Sequence, residues 1–242
     1  MAQSFAFNMD CMEAMKEFPD NFFDLAVVDP PYGDGLHAEN GGAKGWFTKY
    51  NQRVPENHES KQPLRFHGGD RWEKYLNDSN TGEPRRKNIE WDVAPGPEYF
   101  EQLFRISHDQ IIWGGNYFPL PPTRCFLIWR KLTISENFTM AMAEYAWTSF
   151  KTNAKVFEYA PQDSARFHPT QKPVALYAWI FKNYAEPGMK VLDTHLGSGS
   201  SRIAAYDAGI DFWGYEIDKT YFVKQEKRFD RHTAQQNLFL ME

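Results

Sequence analysis

Cysteine is scarce in this chain of 242 residues, which has only Cys11 and Cys125. Neither belongs to a Cys-x-x-Cys pair, so the sequence lacks both the spacing of structural zinc sites and the repeated cysteines of a disulfide framework. We therefore expect a fold without a metal or a disulfide staple. Such sparse cysteine usage is typical of a reducing, cytoplasmic environment.

Long apolar runs and an excess of positive charge are missing as well. No stretch approaches the roughly 20 apolar residues that a membrane-spanning helix needs, and the first residues show no apolar core of a signal peptide. We therefore expect no membrane partner. The formal net charge of −5 counts against a protein that coats nucleic acid nonspecifically. A locally basic groove in an acidic enzyme is still compatible with this charge, because the local field acts on phosphates.

Apolar residues are abundant, since 42% of the chain is hydrophobic and 17% is aromatic, which is enough for one sizeable core. Apolar runs alternate with helix-periodic segments, and this alternation predicts an α/β fold with a mostly parallel sheet. The predicted strands cover 4–7, 25–28, 110–113, 125–129, 144–150, 190–193 and 212–216. The predicted helices cover 10–18, 98–107, 174–184, 200–208 and 219–231.

Residues 191–200 predict a ligand-binding turn between a strand and a helix. Gly197 and Gly199 let the backbone approach a ligand closely and adopt unusual torsion angles. Glu216 follows about twenty residues later at the end of the next strand, where nucleotide-binding units place a ribose-binding acid. The glycines are too few for a triphosphate loop, so we expect a ligand with an adenosine half and no pyrophosphate. A tight turn without any ligand is the alternative interpretation.

Asp29-Pro30-Pro31-Tyr32 follows an apolar strand, at the sheet edge where open α/β folds bind ligands. The two prolines rigidify this turn and leave Asp29 biased towards an extended backbone. The Asp29 carboxylate and the Pro30 carbonyl can accept the two N–H bonds of an exocyclic base amine, which aims its lone pair at a methyl donor. Tyr32 can stack on the base. Taken alone, the motif is equally compatible with a purely structural turn.

Three motifs together resemble the amino-methyltransferase family of DNA-modifying enzymes, which act on adenine N6 or cytosine N4. Asp29-Pro30-Pro31-Tyr32 resembles the catalytic motif of this family. Residues 193–200 resemble its cofactor motif, which is normally Asp-Pro-Phe-x-Gly-Ser-Gly-Thr. His168-Pro169-Thr170-Gln171-Lys172-Pro173 matches an element that contacts the methionine part of the donor. The catalytic motif comes first in this chain, as it does in the permuted class termed β.

The resemblance implies a Rossmann-like, S-adenosylmethionine-dependent methyltransferase fold in circularly permuted order, with helices on both faces of the sheet and no metal. Glu216 near the end of the chain would bind the donor's ribose, and Asp10 near its beginning would bind the adenine. The two ends of the chain would thus complete one pocket. The residues that the resemblance assigns to the donor are Asp10, Asp29, His168, Thr170, Lys172, Asp193, His195, Gly197, Ser198, Gly199, Ser200 and Glu216.

Two features depart from the family pattern or add to it. Thr194 and His195 replace the usual Pro-Phe, and we expect the His195 ring to pack where the phenylalanine lies. A metal role for His195 or His168 is disfavoured, because no cluster of further ligands surrounds either in the sequence. Residues 113–118 and 128–131 also look like family elements around the base pocket.

The function implied by the resemblance is site-specific methylation of adenine N6 in double-stranded DNA, on a base flipped out of the duplex. Asp at position 29 favours adenine, whereas Ser there favours cytosine N4, which stays an alternative. An RNA or protein amide methyltransferase would begin this motif with Asn. A DNA-binding homologue without turnover is the remaining alternative, and the intact Asp29, Tyr32, Gly197 and Glu216 argue against it.

Residues 34–97 are rich in Gly, Asn, Pro and charge, and show little periodicity. We expect one catalytic domain over 1–242, with this loop-rich insertion as the region for target recognition, because a loop of this length is usually functional or disordered. Arg85, Arg86 and Lys87 are predicted to contact DNA phosphates. The resemblance further implies a homodimer, since many relatives dimerise, and a bacterial or phage-infected cytoplasm.

Overall fold

The computed structural model describes residues 2–32, 93–135, 141–161 and 165–239. The chain divides into two compact units, of which one comprises 1–30 and 95–242 and the other comprises 31–94. In the second unit the structure describes only residues 31–32 and 93–94. Every helix and strand given below belongs to the first unit.

The first unit contains an eight-stranded sheet with the strand order β1-β8-β7-β2-β3-β5-β4-β6. The strands are β1 Ser4–Phe7, β2 Phe23–Val28, β3 Ser107–Trp113, β4 Phe126–Lys131, β5 Ala143–Thr148, β6 Lys155–Tyr159, β7 Lys190–Asp193 and β8 Asp211–Tyr215. Only β5 runs antiparallel to its two neighbours in the described part of the sheet. All the other pairs are parallel.

Helices cover both faces of this sheet. They are α1 Cys11–Glu17, α2 Pro97–Ile106, α3 Val174–Tyr184, α4 Ser200–Asp207 and α5 Lys219–Phe239, together with a short 3-10 turn at Gly115–Tyr117. Side chains of β2 alternate between two cores: Leu25 and Val27 pack with α3 and α4, and Ala26 and Val28 pack with α1 and α2. Burial on both faces explains why this strand is a continuous apolar run.

The two ends of the chain meet in the sheet, as the permuted motif order predicts. Strand β1 pairs in parallel with β8, with Ser4 opposite Phe212 and Phe7 opposite Tyr215. The mostly parallel α/β architecture with helices on both faces is therefore confirmed. Among the described helices, none is long and apolar enough to cross a membrane.

Some element boundaries differ from the prediction, and polar residues account for the difference. Strand β3 begins at Ser107 rather than at 110, because the buried Ser107 hydroxyl donates to the Leu103 carbonyl at 2.5 Å and the Gln110 amide donates to the Ser107 carbonyl at 2.7 Å. These bonds allow polar side chains inside a strand. Strand β6 was not predicted, because this edge strand carries no fully buried side chain and so no alternating apolar pattern.

Candidate active site

One edge of the sheet brings the predicted motifs together. Strands β1, β2, β7 and β8 are parallel, so their carboxyl ends lie along the same edge, where α/β folds bind ligands. Asp29 directly follows β2, Asp193 ends β7, and Glu216 directly follows β8. Asp10 follows β1 and caps helix α1, since its Oδ1 accepts the Met12 backbone N–H at 2.8 Å.

Asp29 lies in an ion pair at this edge. Its side chain is 13% exposed, and the ammonium of Lys172, whose side chain is 3% exposed, donates to its Oδ2. The structure thus joins the first residue of the catalytic motif to the lysine of the third motif. Pro30 is buried beside Asp29 in the chain, and the half-buried Pro31 and Tyr32, which follow, belong to the second unit.

The ion pair continues into Glu144, which had no predicted role, and into Lys131, which belongs to the segment 128–131 that resembles a family element. Lys172 Nζ lies 3.2 Å from Glu144 Oε2, and Glu144 Oε1 lies 2.6 Å from Lys131 Nζ. Burial disfavours the charged form of Lys172, but Asp29 and Glu144 outweigh it and raise the pKa of Lys172. Burial likewise opposes the charge of Glu144, yet the two lysines hold its pKa below the ordinary value.

The hexapeptide 168–173 contacts the glycine turn. His168 is buried, its Nδ1 accepts the Thr170 backbone N–H at 3.4 Å, and the Thr170 hydroxyl lies 3.2 Å from the same atom. Burial, with help from Lys172, lowers the pKa of His168 to about 4, so the ring is neutral near pH 7. A Cβ added to Gly197 would lie 3.3 Å from the His168 ring.

The glycine turn has the backbone that only glycine adopts easily. Gly197 and Gly199 have φ angles of 52° and 73°, in the left-handed region. Arg228 from helix α5 donates to the Ser198 carbonyl and to the Ser200 hydroxyl, both at 2.9 Å. The turn is therefore held from outside, and its backbone can lie against a ligand.

Two buried carboxylates fix this turn from the sheet side. Asp193 accepts the Ser201 hydroxyl at 2.5 Å and the His195 backbone N–H at 3.0 Å, and burial raises its pKa to about 7. Glu216 accepts the backbone N–H of Gly197 through Oε2 and that of Asp218 through Oε1, each at 2.8 Å. Burial raises the pKa of Glu216.

The residues that replace the family's Pro-Phe form a hydrogen-bonded chain. The Tyr99 hydroxyl lies 2.6 Å from Thr194 Oγ1, which lies 2.9 Å from His195 Nδ1. Burial lowers the pKa of His195 to about 4. The His195 and Tyr99 rings pack edge to face at a centroid distance of 5.6 Å.

These residues fit an adenosine-containing cationic ligand. Two positive-φ glycines allow close backbone approach, and the carboxylates of Asp10, Asp29 and Glu216 suit ribose hydroxyls, an ammonium group and a positive sulfur. S-adenosylmethionine has all three of these groups. No three His, Cys, Asp or Glu side chains group as metal ligands within the described residues, and the metal-free chemistry stays a prediction.

Three predicted site residues are not among the described residues, and Glu144 lies at the site without having been predicted. Arg85, Arg86 and Lys87 lie outside the described residues. Glu144 was missed, because its place beside Lys172 depends on the antiparallel return of β5, which brings the beginning of that strand to the edge where the other strands end. No local sequence pattern signals such a contact.

Comparison with known proteins gives consistent results. Residues 46–227 match the family described as DNA methylase. The chain is 25% identical to the type II methyltransferase M2.MboI of Moraxella bovis, over 93% of this chain and 86% of that protein. It is 23% identical to the type II methyltransferase M.BglII of Bacillus subtilis, over 89% of this chain and 66% of that protein.

Solved structures share the fold. The M1.HpyAVI–SAM complex aligns with a TM-score of 0.51 at 18% identity, covering 94% of this chain and 98% of that one. PvuII DNA methyltransferase, described as cytosine-N4-specific, aligns with a TM-score of 0.57 at 12% identity, covering 97% and 92%. The fold is therefore that of the S-adenosylmethionine-dependent DNA methyltransferases, as predicted.

Proposed function

This chain belongs to the DNA methylase family whose members modify N6 or N4 amines, and from that premise we propose that it methylates adenine N6 in double-stranded DNA with S-adenosylmethionine as donor. The activity of the family is methylation of DNA amino groups with this donor. The choice of adenine, the roles of individual residues and the target site are our proposals. The observation that carries the site assignment is the placement of Asp29 at the sheet edge that also holds the glycine turn and Glu216.

The chemical difficulty is the weak nucleophilicity of the target amine, whose lone pair is delocalised into the base. Asp29 and the Pro30 carbonyl are consecutive acceptors on a turn stiffened by proline. When they accept the two N–H bonds, the lone pair is held out of the ring plane and in one direction. Tyr32, next but one in the sequence, stacks on the flipped base and offsets part of the unstacking cost, which is a few kcal/mol.

Holding both reactants in line supplies most of the rate in such a transfer. When bound, S-adenosylmethionine supplies a methyl group on positive sulfur, and the new nitrogen–carbon bond forms as the sulfur–carbon bond breaks and leaves its electron pair on sulfur. The amine must lose one proton during the reaction. Asp29, already in contact with an N–H of that amine, is the group of this chain that accepts it.

The donor is held, in this proposal, by groups that already stand at the same edge. Glu216 accepts ribose hydroxyls and Asp10 accepts from the adenine, while residues 197–200 lie against the backbone of the ligand. His168, Thr170 and Lys172 bind the methionine part, with neutral His168 acting as a hydrogen-bonding group rather than as a cation. Asp193 and His195 complete the donor site, where Asp193 fixes the turn through the Ser201 hydroxyl and the His195 backbone N–H.

Adenine is preferred over cytosine because Asp stands at position 29, where family members that act on cytosine N4 favour Ser. The acceptor pair itself grips an amino group and does not distinguish the two bases. Methylation of cytosine N4 is therefore the second candidate. A homologue that binds DNA without turnover is disfavoured, because the carboxylates and glycines of the edge are intact and hydrogen-bonded.

Target recognition is proposed to lie in residues 34–97, within a single catalytic domain that spans the chain. The basic residues Arg85, Arg86 and Lys87 would position the duplex through its phosphates. The names of the two relatives, both type II methyltransferases, support action at a defined DNA site. We also propose that two copies of the chain associate.

A transfer assay with labelled donor tests this function. The purified chain is incubated with donor carrying a radioactive methyl group and with DNA of mixed sequence, and the DNA is digested to nucleosides and separated. We expect the label in N6-methyladenine. Label in N4-methylcytosine would overturn the assignment of adenine. Absence of donor binding in a calorimetric titration would overturn the proposal that the chain is an enzyme.

A further inference from the structure

Four charged side chains form a chain of ion pairs that starts in the proposed catalytic motif. We call Asp29, Lys172, Glu144 and Lys131 the Asp29 charge cluster. Each member contacts the next, from Asp29 through Lys172 and Glu144 to Lys131. The cluster contains two carboxylates and two ammonium groups, so its formal charges balance.

The cluster is largely removed from water. The side chains of Lys172 and Lys131 are 3% and 7% exposed, and those of Asp29 and Glu144 are 13% and 26% exposed. Lys172 also lies over the Trp113 ring at 5.3 Å, and Lys131 lies over the Trp129 ring at 5.1 Å. Charges in such surroundings need partners, because each loses most of its hydration.

The sheet explains how Glu144 reaches this position. Strand β5 is antiparallel, so its first residues lie at the edge where β3 and β4 end. Glu144 is paired with Trp129 of β4, and Trp129 lies two residues before Lys131 in that strand. Glu144 is thus held by the sheet backbone, and Lys131 fixes its carboxylate at 2.6 Å.

The Lys172 ammonium is shared between two carboxylates. One of them, Asp29, is also the proposed acceptor of the target amine. A charge-assisted hydrogen bond is stronger than a neutral one, so an ammonium that bound Asp29 alone would compete more strongly with the incoming N–H. Because the ammonium also interacts with Glu144, its interaction with Asp29 is weakened. Glu144 also holds the ammonium on one side of Asp29.

We propose that Glu144 is a positioning residue for methyl transfer, acting through Lys172 on the orientation and acceptor strength of Asp29. This inference rests on the proposed function. It assigns to Glu144 an effect on the transfer step itself, and none on the binding of DNA. Lys131 serves to hold Glu144 in place.

The first experiment compares Glu144→Gln with the unchanged enzyme in steady-state methyl transfer. Glutamine keeps the shape of the side chain and removes its charge. We expect kcat at saturating donor to fall roughly 10- to 100-fold, with KM for DNA within about twofold, since misplacement of a reacting group affects the transfer step. Glu158→Gln is the matched control, because Glu158 pairs with Arg130 at 2.7 Å on the neighbouring strands with both side chains half exposed. Its kcat should not change.

A second variant separates positioning from folding. Glu144→Gln leaves buried Lys131 without its counter-charge and should lower Tm, whereas Glu144→Gln with Lys131→Met restores charge balance and should raise Tm again. If Glu144 acts by positioning, kcat of this double variant stays low while Tm recovers. Recovery of kcat together with Tm, or an unchanged kcat in Glu144→Gln, would overturn the proposal. If the unchanged enzyme transfers no methyl group, the proposed function fails instead.

Discussion

The Tyr99 hydroxyl is completely buried, and Thr194 is its hydrogen-bond partner among the described residues. Thr194 has one hydroxyl proton to share between Tyr99 and His195 Nδ1. If that proton went to Tyr99, the buried Tyr99 proton would lack an acceptor, which costs about 1–3 kcal/mol. The chain therefore runs from Tyr99 to Thr194 to His195, so Nδ1 accepts and the His195 proton is on Nε2.

This direction predicts the tautomer of His195. In the free protein, nitrogen-15 NMR at pH 7 should show a neutral His195 ring protonated at Nε2, because Thr194 donates to Nδ1 and the lowered pKa removes the second proton. Thr194→Val removes the donor and should produce a mixture of the two tautomers. A His195 protonated at Nδ1 in the unchanged protein would refute the assignment.

Asp193 predicts a pH dependence of stability. Burial raises its pKa from 3.8 to about 7, so between these values the folded state binds more protons than the unfolded state. Stability therefore decreases as pH rises through this window, and the contribution of the protonated carboxyl is lost above about pH 7. Urea unfolding from pH 4 to 8 should show this slope in the unchanged protein and a reduced slope in Asp193→Asn. An identical pH dependence in both proteins would contradict it.

At the scale of the elements, the glycine turn gives a prediction with a matched control. Gly197→Ala places a side chain at positive φ, which costs roughly 1–2 kcal/mol, and its Cβ lies 3.3 Å from the His168 ring. Gly188 also has positive φ, and nothing lies within 4 Å of an added Cβ there. Both alanine variants should lose stability in thermal melts, and Gly197→Ala should lose more because of its contact with His168.

Only Gly197→Ala should affect the donor site, because the Gly197 N–H also binds Glu216. S-adenosylhomocysteine, the donor without its methyl group, can be titrated by calorimetry. We expect its binding to Gly197→Ala to be at least about tenfold weaker, equivalent to about 1.4 kcal/mol, and its Kd for Gly188→Ala to be unchanged. Equal affinity in the two variants would show that the turn does not lie against the ligand.

The elements also show what sequence can and cannot predict. The strand 190–193 and the apolar helix 174–184 have the predicted bounds, because buried segments carry a strong local pattern. Strand β6 and the polar beginning of β3 carry no such pattern. Asp29, Gly197 and Glu216 were predicted to lie at one sheet edge from their places at strand ends, whereas Glu144 was missed because its contact with Lys172 arises from a distant strand pairing.

At the scale of the whole molecule, the pairing of β1 with β8 joins segments from the two ends of the chain at the proposed donor site. The Asn8 side chain donates to the Glu216 carbonyl at 2.8 Å and to the Ile217 carbonyl at 3.1 Å. These bonds connect residues from opposite ends of the sequence. They lie directly beside Asp10 and Glu216, two residues that are proposed to bind S-adenosylmethionine. The permuted motif order is therefore compatible with one pocket, because the β1–β8 pairing and the Asn8 bonds bring the first and last motifs together.

DNA binding by the whole molecule gives another prediction, which rests on the sequence. Replacing Arg85, Arg86 and Lys87 together by glutamine should weaken DNA binding and make its salt dependence shallower, because each lost phosphate contact removes about one released counterion. Fluorescence anisotropy titrations at salt concentrations from about 50 to about 200 mM measure the affinity for DNA and its dependence on salt. An unchanged slope would show that these residues do not contact phosphate.

The central claim is that Asp29-Pro30-Pro31-Tyr32 is the catalytic site of a DNA amino-methyltransferase. The most direct measurement expresses the chain and its Asp29→Ala variant in a host without DNA methylation and maps modified bases by direct sequencing. We predict N6-methyladenine at a defined sequence with the unchanged chain and none with the variant. Modification that persists in Asp29→Ala, or its absence from both, would contradict the account.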